Sequence, residues 1–146
     1  MRRVKEFPAI RPGIEAIPAD WLAGRRVGLV AHPASRASDG RHSAEFLRGS
    51  GTNLVALFGP EHGFFGRGGA GEEIADAAHA DWNLPVFSLY GTTRAPTPAM
   101  LARVDVFVFD VQTIACRAYT YVSTLRLVME ACAAAGKTLV VADRPD

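Results

Sequence analysis

Cysteine is scarce in this chain: Cys116 and Cys132 are the only two among 146 residues, and neither stands in a Cys-x-x-Cys pair or another zinc-type spacing. A disulfide scaffold and a zinc ribbon are therefore excluded, and both thiols read as small buried side chains. Excess charge is lacking too. Sixteen Lys plus Arg against fifteen Asp plus Glu leave a net charge of +1, which gives no electrostatic footprint for nucleic acid. No apolar run approaches the roughly 20 residues that span a bilayer, so no membrane partner is expected. The start, Met1-Arg-Arg-Val-Lys, has basic residues with no apolar stretch behind them. As written it is not a secretory signal, and the expected location is the compartment of synthesis. There is no Gly-x-Ser-x-Gly elbow and no His-Glu-x-x-His, which argues against a serine hydrolase and a zinc protease.

With 49% hydrophobic and 21% charged residues, the composition is that of a folded domain and excludes wholesale disorder. Residues 1–24, with Pro8, Pro12, Gly13 and Pro18, read as a wrapping arm with one helical turn near Asp20-Trp21-Leu22. From residue 25 to 146 a regular alternation follows. Five apolar runs are candidate strands: Val27 to Ala31, Leu54 to Phe58, Pro85 to Leu89, Val104 to Phe109 and Thr138 to Ala142. Their nearly continuous Val, Leu and Phe suit strands covered on both faces. Between them, Ser43 to Gly49 reads as a short helix. Thr97 caps a second helix with Pro98 at its first position, and Tyr121 to Ala135 forms the longest, ended by Gly136. On that last helix Val122, Leu125, Val128, Met129 and Cys132 form the expected buried stripe. Arg126 and Glu130 pair on its polar face. The expected fold is α/β, an open, mostly parallel five-stranded sheet with helices on both faces.

In such sheets ligands bind beyond the carboxyl ends of the strands. The residues that follow the five runs are His32, Ser35 and Arg36; Glu61, His62 and Gly63; Tyr90, Gly91 and Arg94; Asp110, Gln112, Arg117, Tyr119 and Tyr121; and Asp143 and Arg144. Carboxylates, imidazoles, arginines and tyrosines on one edge suit hydrolysis of a polar substrate. Glu61, at the mouth of an apolar strand beside Phe64 and Phe65, has two readings: a general acid whose pKa burial raises, or a turn residue that, like His62, is solvated or hydrogen-bonded to backbone. Gly66-Arg-Gly68-Gly-Ala-Gly71 matches the dinucleotide fingerprint in letters only, because it does not join a strand directly to a helix and it leads into Glu72 and Glu73. No nucleotide cofactor is expected. Nor is a metal, since His32, Glu61, His62 and Asp110 have no ligand spacing.

Six segments in this order carry a resemblance: Leu57-Phe-Gly-Pro-Glu61-His62-Gly63, Leu84-Pro-Val-Phe-Ser-Leu-Tyr-Gly91, Arg94-Ala-Pro-Thr-Pro98, Val104-Asp-Val-Phe-Val-Phe-Asp110-Val-Gln112, Tyr119-Thr-Tyr121 and Asp143-Arg-Pro145. From about Gly24 onward the chain resembles the NamZ-type exo-β-N-acetylmuramidases, long catalogued as a domain of unknown function. The resemblance implies a Rossmann-like N-terminal domain and a smaller C-terminal domain that these residues do not include, with the active site between them. It implies release of N-acetylmuramic acid from peptidoglycan fragments, a peptidoglycan-derived sugar as the substrate partner, and Glu61 as catalytic carboxylate. His32, His62, Arg94, Asp110, Gln112, Arg117, Tyr119, Tyr121 and Arg144 would line the pocket. Arg94, Arg117 or Arg144 would pair with the lactyl carboxylate that distinguishes muramic acid from glucosamine.

The chain departs from the family in one loop. Where the family continues Asp-Val-Gly-x-Arg and an aromatic residue, this sequence has Thr113-Ile-Ala-Cys-Arg117-Ala118, without that acid, glycine or aromatic. Two readings follow: part of a glycoside hydrolase, or a non-catalytic remnant that keeps the fold and binds sugar.

Overall fold

A computed structural model describes residues 10–114, 116 and 118–144. The elements in chain order are α1 (Gly13–Ala16), α2 (Ala19–Leu22), β1 (Val27–Ala31), α3 (Ser43–Gly49), β2 (Leu54–Gly59), β3 (Ala77–His79), β4 (Leu84–Ser88), α4 (Pro98–Leu101), β5 (Val106–Asp110), α5 (Tyr121–Ala134) and β6 (Thr138–Val141). They build one six-stranded sheet in the order β3-β4-β2-β1-β5-β6. The five strands expected from the sequence are all parallel to one another. The sixth, β3, is antiparallel to β4 at the edge. Its three residues, Ala77-Ala78-His79, are too short and too poor in branched side chains to read as a strand. The parallel strands alone follow the Rossmann order. The chain runs outward one way from β1 through β2 to β4, then returns to β5 on the other side of β1 and runs out to β6.

Alternation along the strands sends side chains into two cores. Val27 and Leu29 of β1, with Leu57, Val106 and Val108, pack under Ala44 and Leu47 of α3. Val30, Phe58, Phe107 and Phe109 pack on the opposite face under Met100 of α4 and Val128 and Cys132 of α5. Helices thus cover both faces. The arm joins the first core through Ile14 and Leu22, and the turn near Asp20 is α2. The capping at Thr97, whose Oγ accepts from the Met100 amide at 3.4 Å, and the Arg126–Glu130 pair at 2.8 Å are as expected.

Two expectations about burial are corrected. On α5 the buried residues are Thr124, Val128 and Cys132, while Val122 and Met129 are 66% and 52% exposed. The helix sits on the sheet through the stripe centred on Val128, and residues two back from Thr124 and one on from Val128 rotate off it. Cys132 is buried, and burial pushes its thiol up to about 11, but Cys116 is exposed.

Gly28 lets the Phe58 and Val104 side chains close over β1: a Cβ there would lie 2.9 Å from the Phe58 ring and 3.0 Å from Val104. Gly28→Ala is expected to lower the unfolding free energy by about 1–3 kcal/mol through overpacking, measured by urea unfolding.

Candidate functional site

The strand order reverses between β1 and β5: the chain leaves β1 for α3 on one face and β5 for α5 on the other, and the crevice where such folds bind ligands lies beyond their carboxyl ends. Asp110, the last residue of β5, is fully buried there. Both of its carboxylate oxygens are engaged. Oδ1 accepts from Arg144 Nε, and Oδ2 accepts from Arg144 Nη2 at 2.7 Å and from the Ser43 hydroxyl. The Asp110 carbonyl accepts from the Ser35 hydroxyl, whose oxygen in turn accepts the His32 amide at 3.0 Å. Arg144 also donates to the Arg36 carbonyl at 2.8 Å. The segment after β1, the start of α3, the end of β5 and the segment after β6 are therefore tied to one buried ion pair.

His32 belongs to this frame. Its Nδ1 accepts from the Ala34 amide at 3.1 Å, which leaves the proton on Nε2 to donate to the Gln112 carbonyl at 3.1 Å. Burial, above all, lowers its pKa, and the ring stacks on Tyr121 at 5.1 Å. It is a neutral bolt between the ends of β1 and β5. Of the pocket residues expected from the sequence, His32, Asp110 and Arg144 are thus occupied within the protein, and Arg117 lies outside the described residues.

Glu61 is placed differently. After β2 the chain doubles back so tightly that a Cβ on Gly59 would lie 2.2 Å from the Phe64 amide nitrogen. Glu61 follows at the carboxyl edge, partly exposed. Its Oε2 accepts from the Thr120 hydroxyl at 2.6 Å and its Oε1 from the Gly71 amide at 2.9 Å. The expectation of a raised pKa is overturned. The Thr120 hydrogen bond holds the carboxyl below the usual carboxylate range, helped by the Gly71 amide, Tyr90 and His62, and together they outweigh burial. The sequence places Glu61 beside Phe64 and Phe65, but the carboxylate meets donors instead. It is an ionised group, suited to act as base or nucleophile rather than as proton donor.

Around it stand tyrosines. Tyr121 begins α5, packs edge to face on Tyr119 at 5.6 Å, and has its pKa raised, chiefly by burial and then by the Glu61 charge. Tyr90, after β4, carries the Arg94 guanidinium 3.7 Å over its ring. His62 adopts φ 68, a left-handed conformation that is uncommon outside glycine and that clusters at functional sites. Its Nδ1 pairs with the Gly68 carbonyl at 3.0 Å. His62 also lines a cleft of about 470 Å³ with Phe65, Ile74, His79, Val86 and Phe87, to which Glu61 does not contribute. Gln112 is half-buried and donates from Nε2 to the Thr113 carbonyl at 2.8 Å. Thr120 and Ser43 escaped the sequence reading. Thr120 sits between two tyrosines that drew attention, and Ser43 looked only like a helix start.

The family model for the N-terminal domain of the exo-β-N-acetylmuramidase NamZ matches residues 27–146. The chain belongs to that family. It is 39% identical over 143 residues to the peptidoglycan β-N-acetylmuramidase NamZ of Bacillus subtilis (strain 168), covering 95% of this chain and 34% of that protein. Two crystal structures of DUF1343 family proteins from Bacteroides fragilis NCTC 9343 share the fold. One superposes with a TM-score of 0.82 at 42% identity, over 92% of this chain and 34% of the other. The second gives 0.77 at 25% identity, over 93% and 35%. The chain spans about a third of the length of these relatives.

The Thr120–Glu61 contact makes a direct prediction. Thr120→Val is expected to raise the Glu61 pKa toward the ordinary value, and Thr120→Ser to keep it low, read by carboxyl-carbon NMR titration. Because the folded-state pKa lies below the unfolded one, the interaction stabilises the fold above the ordinary glutamate value and is lost as pH falls through the folded-state pKa.

Proposed function

We propose that the chain forms the carboxylate-bearing part of a glycoside hydrolase site that removes N-acetylmuramic acid from peptidoglycan fragments. The observation that carries this reading is the state of Glu61: ionised, oriented by the Thr120 hydroxyl and the Gly71 amide, and open at the carboxyl edge of the sheet beside aromatic side chains. The named activity of the Bacillus subtilis relative supports it.

Glycosidic cleavage runs through an oxocarbenium-like transition state and uses two carboxyl groups, one to protonate the leaving oxygen and one to attack or to activate water. Glu61 takes the anionic role, as nucleophile, base or stabiliser of the developing positive charge. Asp110 is buried and bound by Arg144 and Ser43, so it does not supply the proton. In this reading the acid comes from another part of the complete site, and water is the co-reactant. Tyr119, Tyr121, His62, Gln112 and Arg94 hold the sugar, and His32, Asp110 and Arg144 hold the frame.

The test is release of a chromophore from a chromogenic β-N-acetylmuramide. Two proteins are compared: the chain alone, and the chain joined to the two-thirds of the Bacillus subtilis relative that lies beyond the match. The joined protein is expected to turn over, and Glu61→Gln to lower its kcat by about 10²–10⁴-fold. The chain alone is expected to be inactive or very weak. Robust turnover by the chain alone, or an unchanged rate in Glu61→Gln, contradicts the assignment. A joined protein that binds the sugar and never cleaves it makes the chain a binding module.

A further inference from the structure

Three arginines were candidates for an anionic substituent, and the structure separates them. Arg144 is committed to Asp110, with its side chain only 7% exposed. Arg117 lies outside the described residues. Arg94 is exposed, has no carboxylate partner among the described residues, and is held by the Tyr90 ring at 3.7 Å. Stacking of this kind orients a guanidinium while leaving its N–H fork open for a planar anion.

The segment that carries Arg94 is itself fixed. The Ile74 amide donates to the Tyr90 carbonyl at 2.9 Å, the Tyr90 amide donates to Ser88 Oγ at 3.1 Å, and the Thr93 hydroxyl donates to the Ala95 carbonyl at 2.7 Å. Tyr90, whose ring holds Arg94, also helps to keep the Glu61 pKa low through its side-chain hydrogen bond, which puts Arg94 next to the neighbourhood of Glu61. Arg67, the other stacked arginine near this edge, lies over Phe65 on the wall of the cleft that Glu61 does not line.

We infer that Arg94, positioned by Tyr90, is the specificity-determining residue that pairs with a carboxylate substituent on the sugar bound at Glu61. The inference rests on the glycosidase reading above and assigns recognition of the lactyl carboxylate of that substrate to one residue, Arg94. A guanidinium facing a carboxylate forms two parallel charge-assisted hydrogen bonds, which the neutral ester of the same sugar cannot accept equally. Because Arg94 is exposed, the discrimination is modest and sensitive to salt.

The experiment is NMR titration of the full 146-residue chain with N-acetylmuramic acid, its lactyl methyl ester and N-acetylglucosamine. The wild type is expected to prefer the free acid over the ester by about five- to tenfold at low salt, a gap that narrows as salt is raised. Arg94→Met is expected to bring the ratio within about twofold, Arg94→Lys to keep part of it, and Arg94→Glu to reverse it, while Arg67→Met keeps the wild-type ratio. An unchanged preference in Arg94→Met and Arg94→Glu overturns the inference and leaves the glycosidase reading standing. The same titration on the joined protein decides the glycosidase reading: if that protein binds none of the three sugars, the reading falls and the inference with it.

Discussion

A single carboxylate buried at the strand-order reversal organises this domain. The connections after β1 and β5 leave the sheet toward opposite faces, and beyond the last paired residues, Ala31 and Asp110, nothing in the sheet's own hydrogen bonding ties together the segments that follow. Asp110 does so by accepting from Arg144 after β6 and from Ser43 at the start of α3. A charge in so dry a place is tolerated only when it is paired and hydrogen-bonded, and here the guanidinium and hydroxyl engage both carboxylate oxygens. The pair fixes where the loop after β1 runs, where α3 starts and how the segment after β6 folds back.

That frame leaves the neighbouring carboxylate, Glu61, outside the buried ion pair. His32, held neutral between the ends of β1 and β5, presents a flat ring for Tyr121 to stack on. Tyr121 opens α5 immediately after Thr120, and Thr120 holds Glu61. The same edge of the sheet thus carries two acids in opposite settings. Asp110 is enclosed and serves the fold; Glu61 is half-open, kept ionised by donors and flanked by aromatic rings. The contrast follows from environment alone, since the residue types are nearly the same.

The sequence made the architecture readable because the five parallel strands are continuous Val, Leu and Phe runs, a pattern that double-sided burial imposes. β3 was not readable: Ala77-Ala78-His79 becomes a strand only because β4 offers an edge. Val122 and Met129 looked like core by type, and the angle at which α5 meets the sheet turned them outward. At the site, the position of Glu61 was legible and its charge state was not, because the deciding donor, Thr120, lies 59 residues away in sequence. Asp110 and Arg144 were likewise legible as chemistry-bearing types, while their partnership across 34 residues was a fact of the fold. Pairings between distant polar groups leave no periodicity to read.

The claim that Asp110 holds the frame is tested most directly by a double-mutant cycle on Asp110 and Arg144, with stability read by urea unfolding. Arg144→Leu alone strands a buried charge and is expected to cost about 3–5 kcal/mol. Asp110→Leu with Arg144→Leu is expected to recover much of that loss, which gives a coupling of several kcal/mol. Additive effects, with a coupling within about 0.5 kcal/mol of zero, would mean that Asp110 does not hold the frame.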